Sequence, residues 1–182
     1  LANGVLVNSL DFKKEFYNKF NIKAECIYNP LDKSFLVKKN KKKLSKKVFK
    51  KNSLKILTLG RLTDQKDHLT LLKAITMLNS NLKPHLIIVG KGVNYNLLKN
   101  FINQNSLENK VTLAGYSNNP MNYLKETDIF VLTSKFEGLP NVLLEAQLLK
   151  KYIISTDCPT GPREILLNGK CGDLIKIGDH KN

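Results

Sequence analysis

The stretch that decides the fold is Leu54-Lys55-Ile56-Leu57-Thr58-Leu59-Gly60-Arg61, a β-rich run of six residues closed by glycine. A polar loop follows it, and residues 69–78 then show the apolar spacing of a helix. A strand that ends in glycine and leads into a helix is typical of a parallel strand with its crossover helix. This unit therefore predicts an α/β domain.

The same unit recurs toward the carboxyl end of the chain. The predicted strands are 86–89, 111–113, 129–132, 152–155 and 174–177, and the predicted helices are 95–102, 121–125 and 142–149, with a helical turn over 163–167. Short strands alternating with helices predict a doubly wound, Rossmann-like parallel sheet covered on both faces. A ligand is expected beyond the carboxyl ends of its strands.

The first thirty residues form a separate pattern. A short strand over 4–7 precedes the helix-start signal Asn8-Ser9, a predicted helix over 12–20 and an extended stretch over 25–28. The turn dipeptide Asn29-Pro30 ends this pattern.

Three segments follow from these patterns. We interpret 1–32 as the tail of a preceding amino-terminal domain and 33–52 as a lysine-rich connection. Residues 53–182 form the Rossmann-like domain, and no helix is predicted to close its carboxyl end.

Composition narrows the class of protein. No apolar run approaches the roughly 18 residues of a membrane-spanning helix, and a signal-peptide pattern is absent. Three scattered cysteines without a CxxC pair predict a reducing, cytoplasmic location rather than a disulfide framework. The net charge is +15, but nine lysines lie between Lys38 and Lys51, and without them the charge is +6. The basic character therefore belongs mostly to one segment.

Two interpretations of that lysine-rich segment remain open. It is either a solvated connection or a peripheral contact with an anionic membrane on its cytoplasmic face. A nucleic-acid partner is not expected, because arginines are few and Phe49 is the only aromatic residue of 38–51.

Glycine-containing turns follow three of the predicted strands, at Gly60, at Gly90-Lys91-Gly92 and at Gly115. Glycine permits close backbone approach to a ligand, although a glycine after a strand is also an ordinary turn. The GxGxxG fingerprint and the phosphate-binding GxxxxGK[ST] loop are both absent, which argues against a nicotinamide enzyme and a P-loop kinase.

The loop after the deciding strand carries two cations, Arg61 and Lys66. Arginine offers a planar fork and lysine a point charge, so together they suit a diphosphate. The alternative is a pair of surface cations on a loop.

A second acidic and glycine-containing stretch, Glu137-Gly138-Leu139-Pro140-Asn141-Val142, leads into a helix that bears Glu145. Proline suits the first helical turn, and the N–H groups of that turn form an anion site. Eight residues at about 1.5 Å each separate the two carboxylates by on the order of 10 Å, beyond the roughly 5–9.5 Å of a glycosidase acid/base pair. The spacing suits the two ends of an extended ligand, or else the second glutamate is incidental.

Four segments, GRLTDQKDHLTLLKA, LIIVGKG, SKFEGLPNVLLEA and STDCPTGPREIL, resemble in order and spacing the carboxyl-terminal domain of group 1 retaining glycosyltransferases of the GT-B fold. Tyr28-Asn29-Pro30-Leu31 is similar to the segment that precedes this domain in the family. The resemblance covers nearly all of 53–179. It implies a hexosyltransferase-type enzyme that builds a cell-surface glycan or lipid-linked oligosaccharide.

The resemblance also implies roles for particular residues. The donor is expected to be a nucleoside-diphosphate-sugar, with UDP as the favoured nucleotide. Glu137 would contact the hydroxyls of the donor sugar and Glu145 those of the ribose. Arg61 and Lys66 would bind the diphosphate and stabilise the charge that develops on it. Gly115 and Tyr116 are expected near the base. The remaining donor-binding residues are expected to be Gly60 and Gly90 at strand ends, and Gly138, Leu139, Pro140, Asn141 and Val142 at the helix start.

No metal or other cofactor is expected, because the two cations and the helix N-terminus supply positive charge and no ligand cluster is visible in the sequence. The partner implied by the resemblance is an amino-terminal acceptor domain of the full-length protein, so this chain alone is expected to bind donor without transferring it. A basic membrane- or nucleic-acid-binding module and a non-catalytic sugar-nucleotide-binding homologue are the alternatives. One departure from the family is Lys150-Lys151, where a glycine usually ends the helix.

Overall fold

The structure of the protein is a computed structural model, and it describes residues 4–31 and 48–181. Most of the lysine-rich segment falls on 32–47, which lies outside the described residues. Its last residues are described, and among them Phe49 is buried in the core. Its predicted contact with a membrane therefore stays a prediction.

Residues 4–31 form a small unit, called the N-terminal unit below. Strands β1 (Leu6–Val7) and β2 (Glu25–Cys26) pair in parallel, and helix α1 (Leu10–Phe20) connects them. The helix begins two residues before the predicted position because Ser9 is its N-cap, and the Ser9 hydroxyl accepts a hydrogen bond from the Phe12 N–H.

The remaining strands form one six-stranded parallel sheet. They are β3 Leu54–Leu59, β4 Pro84–Val89, β5 Val111–Gly115, β6 Ile129–Leu132, β7 Tyr152–Thr156 and β8 Asp173–Ile175. The helices are α2 His68–Met77, α3 Tyr95–Gln104, α4 Met121–Glu126, α5 Asn141–Leu148 and α6 Pro162–Ile165, with a 3₁₀ turn at Ser80–Leu82 that the sequence pattern did not predict. Every predicted strand and helix of this part is present within a few residues.

The strand order is β5-β4-β3-β6-β7-β8, with all neighbours parallel. The chain builds outward from β3 to β5, then returns to the other side of β3 and builds outward again from β6 to β8. Doubly wound sheets bind ligands at this reversal, beyond the carboxyl ends of the strands. The predicted fold class is confirmed.

Apolar side chains cover both faces of the sheet. Leu57, Ile87 and Phe130 pack with Leu143 of α5 on one face, and Ile56, Leu86 and Ile88 pack with helices α2 and α3 on the other. Neighbouring residues of one strand point to opposite faces, so a strand buried on both sides is apolar throughout. This is why the strands read as continuous apolar runs.

The helix end at Lys150 keeps the turn that glycine would make. Lys150 has a φ of 54° and therefore adopts the left-handed conformation itself. Its N–H donates to the Gln147 carbonyl at 2.8 Å, and the Lys151 N–H donates to the Ala146 carbonyl at 3.0 Å. These two bonds form a Schellman motif, so the departure at this position changes the residue but not the turn.

Candidate functional site

A cleft of about 370 Å³ opens at the carboxyl ends of β3, β4 and β5. Its walls come from three strand ends and the first turns of α5: Leu59, Gly60, Arg61, Val89, Gly90, Lys91, Tyr116, Ser117, Pro120, Val142 and Glu145. Six of the predicted site residues therefore lie around one space, although they are far apart in the sequence.

A wider concavity, about 1290 Å³, lies along α1 and is lined by residues of the N-terminal unit. None of the predicted site residues borders it. We place the candidate site in the smaller cleft, because that cleft lies at the strand ends where this topology binds ligands.

The glycines of the strand ends let backbone segments meet. A Cβ atom on Gly90 would lie 1.8 Å from the Gly60 carbonyl oxygen, and one on Gly92 would lie 2.3 Å from the Leu62 carbonyl oxygen. Both positions therefore require glycine for contact between adjacent loops, besides any contact with a ligand. At Gly115 the added Cβ would meet open space, and its φ of 71° is the reason for glycine there.

Lys66 and Glu137 meet across the reversal of strand order. The Lys66 ammonium donates to Glu137 Oε1 at 2.6 Å, and the two side chains are 15% and 9% exposed. Lys66 follows β3 and Glu137 follows β6, so this ion pair joins the loops after two neighbouring strands, although neither residue lines the cleft itself. The predicted diphosphate cation thus lies directly beside the predicted sugar-binding carboxylate.

Gln65 fastens the same two loops, and the sequence pattern gave no sign of this role. The Gln65 side-chain amide donates to the Phe136 carbonyl at 2.9 Å. The Gln65 backbone carbonyl accepts from the Lys135 N–H at 2.8 Å. Gln65 Oε1 also accepts a hydrogen bond from the Arg61 guanidinium at 3.3 Å. Gln65 therefore orients Arg61 at the rim of the cleft.

The start of α5 differs slightly from the prediction. Pro140 is the N-cap rather than a residue of the first turn, because its ψ of 93° is extended, and the helix begins at Asn141. The first helical bond runs from the Leu143 N–H to the Pro140 carbonyl, so the N–H groups of Asn141 and Val142 precede the intrahelical bonding.

Side chains at this helix start divide into two groups. Leu139 and Pro140 are buried, and Leu139 belongs to the core, so only their backbone is available to a ligand. Gly138 and Asn141 are exposed.

Glu145 lies on the first turns of α5 and borders the cleft. Burial raises the pKa of its carboxyl group. Burial disfavours the charged form of this carboxylate unless it accepts hydrogen bonds. Hydroxyl groups of a ligand could donate such bonds.

Lys91 and Tyr116 form the far end of the cleft. The Lys91 ammonium lies 5.3 Å from the centroid of the exposed Tyr116 ring, within cation–π distance. Lys91 was not among the predicted site residues, although its place between Gly90 and Gly92 at a strand end is the signal that would have found it.

Two histidines and a cysteine are buried or hydrogen-bonded within the fold. Burial, with a smaller contribution from Lys66, lowers the pKa of His68 to about 4. His85 accepts a hydrogen bond from the Lys50 N–H at 3.1 Å, away from the cleft. Burial raises the pKa of the Cys158 thiol to about 11. Across 4–31 and 48–181 there is no group of three His, Cys, Asp or Glu side chains that could hold a metal ion, and no helix long and apolar enough to cross a membrane.

A doubly wound parallel sheet with a cleft at the carboxyl ends of its strands, beside the reversal of strand order, is the arrangement of a Rossmann-like α/β domain. The family described as "Glycosyl transferases group 1" matches residues 39–182, and the chain belongs to that family. The resemblance seen in the four motifs is thereby confirmed.

Curated relatives agree with this family. An N-acetylgalactosamine-N,N'-diacetylbacillosaminyl-diphospho-undecaprenol 4-alpha-N-acetylgalactosaminyltransferase of Campylobacter jejuni is 33% identical over 187 residues, covering 100% of this chain and 48% of the relative. A UDP-Gal:alpha-D-GlcNAc-diphosphoundecaprenol alpha-1,3-galactosyltransferase of Escherichia coli is 37% identical over 165 residues, covering 87% of this chain and 42% of the relative. The chain thus spans about half the length of the curated relatives it matches.

Solved structures share the fold. HepE of Anabaena, solved in complex with UDP, superimposes with a TM-score of 0.81 at 20% identity, covering 100% of this chain and 52% of that one. At this identity the likeness concerns the fold.

Proposed function

We propose that this chain is the donor-binding part of a retaining glycosyltransferase that uses a UDP-sugar. The observation that carries the proposal is the Lys66–Glu137 ion pair at the reversal of strand order. It joins a cation to the carboxylate that we propose binds the sugar, four residues before the start of α5. Membership of the group 1 family supports the reaction class.

The cations and the helix start would hold the diphosphate. Arg61 at the cleft rim offers a planar fork, Lys66 offers a point charge, and the first N–H groups of α5 add partial positive charge. As the bond between sugar and diphosphate breaks, negative charge grows on the leaving oxygen. Positive groups fixed in place before that step lower its free energy, which is commonly the largest catalytic contribution.

The two glutamates would bind the ends of the donor. Glu137 is held by Lys66 and is proposed to accept hydrogen bonds from the hydroxyls of the sugar. Glu145, at the cleft wall, is proposed to accept from the ribose hydroxyls. The uracil is proposed to lie toward Gly115 and Tyr116. No metal ion or other cofactor is needed in this scheme, because protein groups supply the positive charge.

The choice of UDP and of the acceptor rests on the comparisons. HepE has been solved with UDP-glucose, and the two bacterial relatives are named for diphospho-undecaprenol acceptors. We therefore propose a lipid-linked or polysaccharide acceptor, bound by the part of the full-length protein that this chain does not span. On its own the chain would bind donor and transfer little or nothing.

Titration of the folded chain with UDP, by calorimetry or ligand-observed NMR, tests the proposal. Arg61→Ala should weaken binding roughly tenfold or more, the loss expected for a charge-assisted contact with phosphate. Lys99→Ala removes an exposed cation from α3 and serves as the matched control. Absence of binding at millimolar UDP, with Arg61→Ala indistinguishable from wild type, would exclude the proposal.

The lysine-rich segment is proposed to attach the protein to the cytoplasmic face of an anionic membrane. Co-sedimentation with anionic vesicles, with and without residues 38–51, tests this. Equal sedimentation after the deletion would show that the segment does not contribute to membrane binding. As descriptions of the whole chain, a basic binding module and a non-catalytic homologue find no support in the comparisons.

A further inference from the structure

The N-terminal unit is hydrogen-bonded to the domain formed by the six-stranded sheet, called the sheet domain below. All four of the hydrogen bonds described next are accepted by the Glu164 carboxylate of α6. The Leu10 N–H lies 3.1 Å from Glu164 Oε1 and 3.0 Å from Oε2, and the Asp11 N–H donates to Oε2 at 3.3 Å. The Tyr28 hydroxyl donates to Oε1 as well. Glu164 thus accepts from the beginning of α1 and from the residues after β2, which fixes the unit at both ends.

These contacts complete the amino-terminal end of α1. The first N–H groups of a helix lack intrahelical partners. The Ser9 hydroxyl accepts a hydrogen bond from the Phe12 N–H, and the Glu164 carboxylate accepts from the N–H groups of Leu10 and Asp11. A negative charge at this end is also favoured by the helix dipole. The carboxylate that α1 needs therefore comes from the sheet domain, 154 residues away in the sequence.

Glu164 belongs to a helix that is packed against α5. It lies on α6 between the buried residues Pro162 and Ile165. The Gln147 side chain of α5 donates to the Ile165 carbonyl at 3.0 Å. A Cβ on Gly161, just before α6, would lie 2.4 Å from the Gly138 carbonyl oxygen. Helix α6 is therefore packed against α5 and the loop before it, and the N-terminal unit is attached to α6 through Glu164.

The attachment brings two asparagines to the start of α5. The Asn29 side-chain amide donates to Asn141 Oδ1 at 3.0 Å. The Asn8 side chain lies 3.9 Å from the position that a Cβ on Gly138 would occupy. With Oδ1 of Asn141 engaged by Asn29, the NH₂ group of Asn141 is the part of that side chain left to face an anion.

We propose that Glu164 is a positioning residue: it holds the N-terminal unit against the start of α5, so that Asn29 orients the side chain of Asn141 toward the donor. The inference rests on the proposed function for its effect on donor binding. The structural half of the proposal, attachment of the N-terminal unit by Glu164, does not depend on a ligand. Glu164 does not touch the donor, and it acts through Asn29 and Asn141.

Hydrogen exchange on the 182-residue chain tests the structural half. In Glu164→Ala the amides of Leu10 and Asp11 should exchange roughly tenfold faster, because their acceptor is lost. Amides of β3, β4 and β6 should keep their rates. Glu164→Gln retains one acceptor oxygen and should give an intermediate rate. Glu108→Ala, at an exposed acid in the turn before β5, is the matched control. Unchanged exchange at Leu10 and Asp11 in Glu164→Ala would overturn the proposal.

UDP titration of the same variants tests the functional half. Glu164→Ala and Asn29→Ala should each raise the UDP dissociation constant by roughly three- to tenfold, and the double variant by no more than the larger single effect, because both act through Asn141. Asn29→Ala should leave exchange at Leu10 and Asp11 unchanged. Additive losses, or single variants that bind UDP as wild type does, would contradict a positioning role. If wild type itself fails to bind UDP, the proposed function falls, and the exchange rates still decide whether Glu164 holds the unit.

Discussion

Lys66 and Glu137 form an ion pair that bridges the loops after β3 and β6, with Nζ and Oε1 2.6 Å apart. These strands are neighbours in the sheet although 71 residues separate the two side chains. The pair is mostly buried, so each charge depends on the other for its solvation. The contact proposed to bind the donor is therefore also expected to contribute to stability.

Removal of one partner should cost more than removal of both charges. Lys66→Met leaves Glu137 without its partner and is expected to lower the free energy of unfolding by about 2–4 kcal/mol. The double variant with Glu137→Gln should recover part of that loss, because no unpaired charge remains. Chemical denaturation measures both, with Lys73→Met on the exposed side of α2 as control. Strictly additive losses would show that the two side chains do not depend on each other.

A glycine should stabilise the end of α5. Lys150 holds a left-handed φ of 54°, which is strained for a residue with a Cβ. Lys150→Gly is expected to raise the free energy of unfolding by about 0.5–1 kcal/mol, since relief of strain exceeds the entropy that glycine adds to the unfolded chain. Lys99→Gly, within α3, should instead lower stability by about 1 kcal/mol. Destabilisation by Lys150→Gly would mean that the lysine side chain contributes contacts of its own.

The sheet and the position of the cleft were predictable because both follow from local pattern. Apolar strands such as 129–132 and the glycine after β3 are visible in the sequence, and the topology then determines where the loops meet. The Schellman turn at Lys150 was not predictable from residue type, because lysine rarely adopts a left-handed conformation.

Contacts between distant loops were beyond the sequence pattern. Nothing in the residues around Gln65 indicates that its amide reaches Phe136, and Glu164 resembles an ordinary acid in a short helix. Such contacts depend on how elements far apart in the chain are packed, whereas periodicity reports only the elements themselves.

Gly90 should tolerate no side chain. A Cβ there would lie 1.8 Å from the Gly60 carbonyl oxygen, a backbone atom that cannot rotate away. Gly90→Ala is expected to cost roughly 3 kcal/mol or more and to weaken UDP binding by displacing the Gly60-Arg61 loop. Gly115→Ala is the control: its Cβ meets open space, so only the strain of a positive φ remains, about 1 kcal/mol. Equal losses in the two variants would refute the close approach as the cause.

His68 should make stability depend on pH below neutrality. Burial lowers its pKa to about 4 in the folded chain, against an ordinary value of 6.5 in the unfolded chain. Between these values the unfolded state binds more protons, so stability falls as pH decreases from 6.5 to 4. The size is on the order of 3 kcal/mol. His68→Gln should flatten this part of the profile. A slope that survives His68→Gln would assign the pH dependence to other groups.

Cys158 should be inert toward alkylation although it lies close to the candidate site. It is 4% exposed, and burial, reinforced by the charge of Glu137, raises the pKa of its thiol to about 11. At pH 8 only about one Cys158 in a thousand is then thiolate, the form that reacts with iodoacetamide. Cys171 is exposed and should be labelled first, as peptide mapping by mass spectrometry can show. Labelling of Cys158 as fast as Cys171 would reveal an accessible thiolate beside Glu137, and would make Cys158 a candidate nucleophile. Slow labelling would leave the proposed roles of Arg61, Lys66 and the start of α5 unchanged.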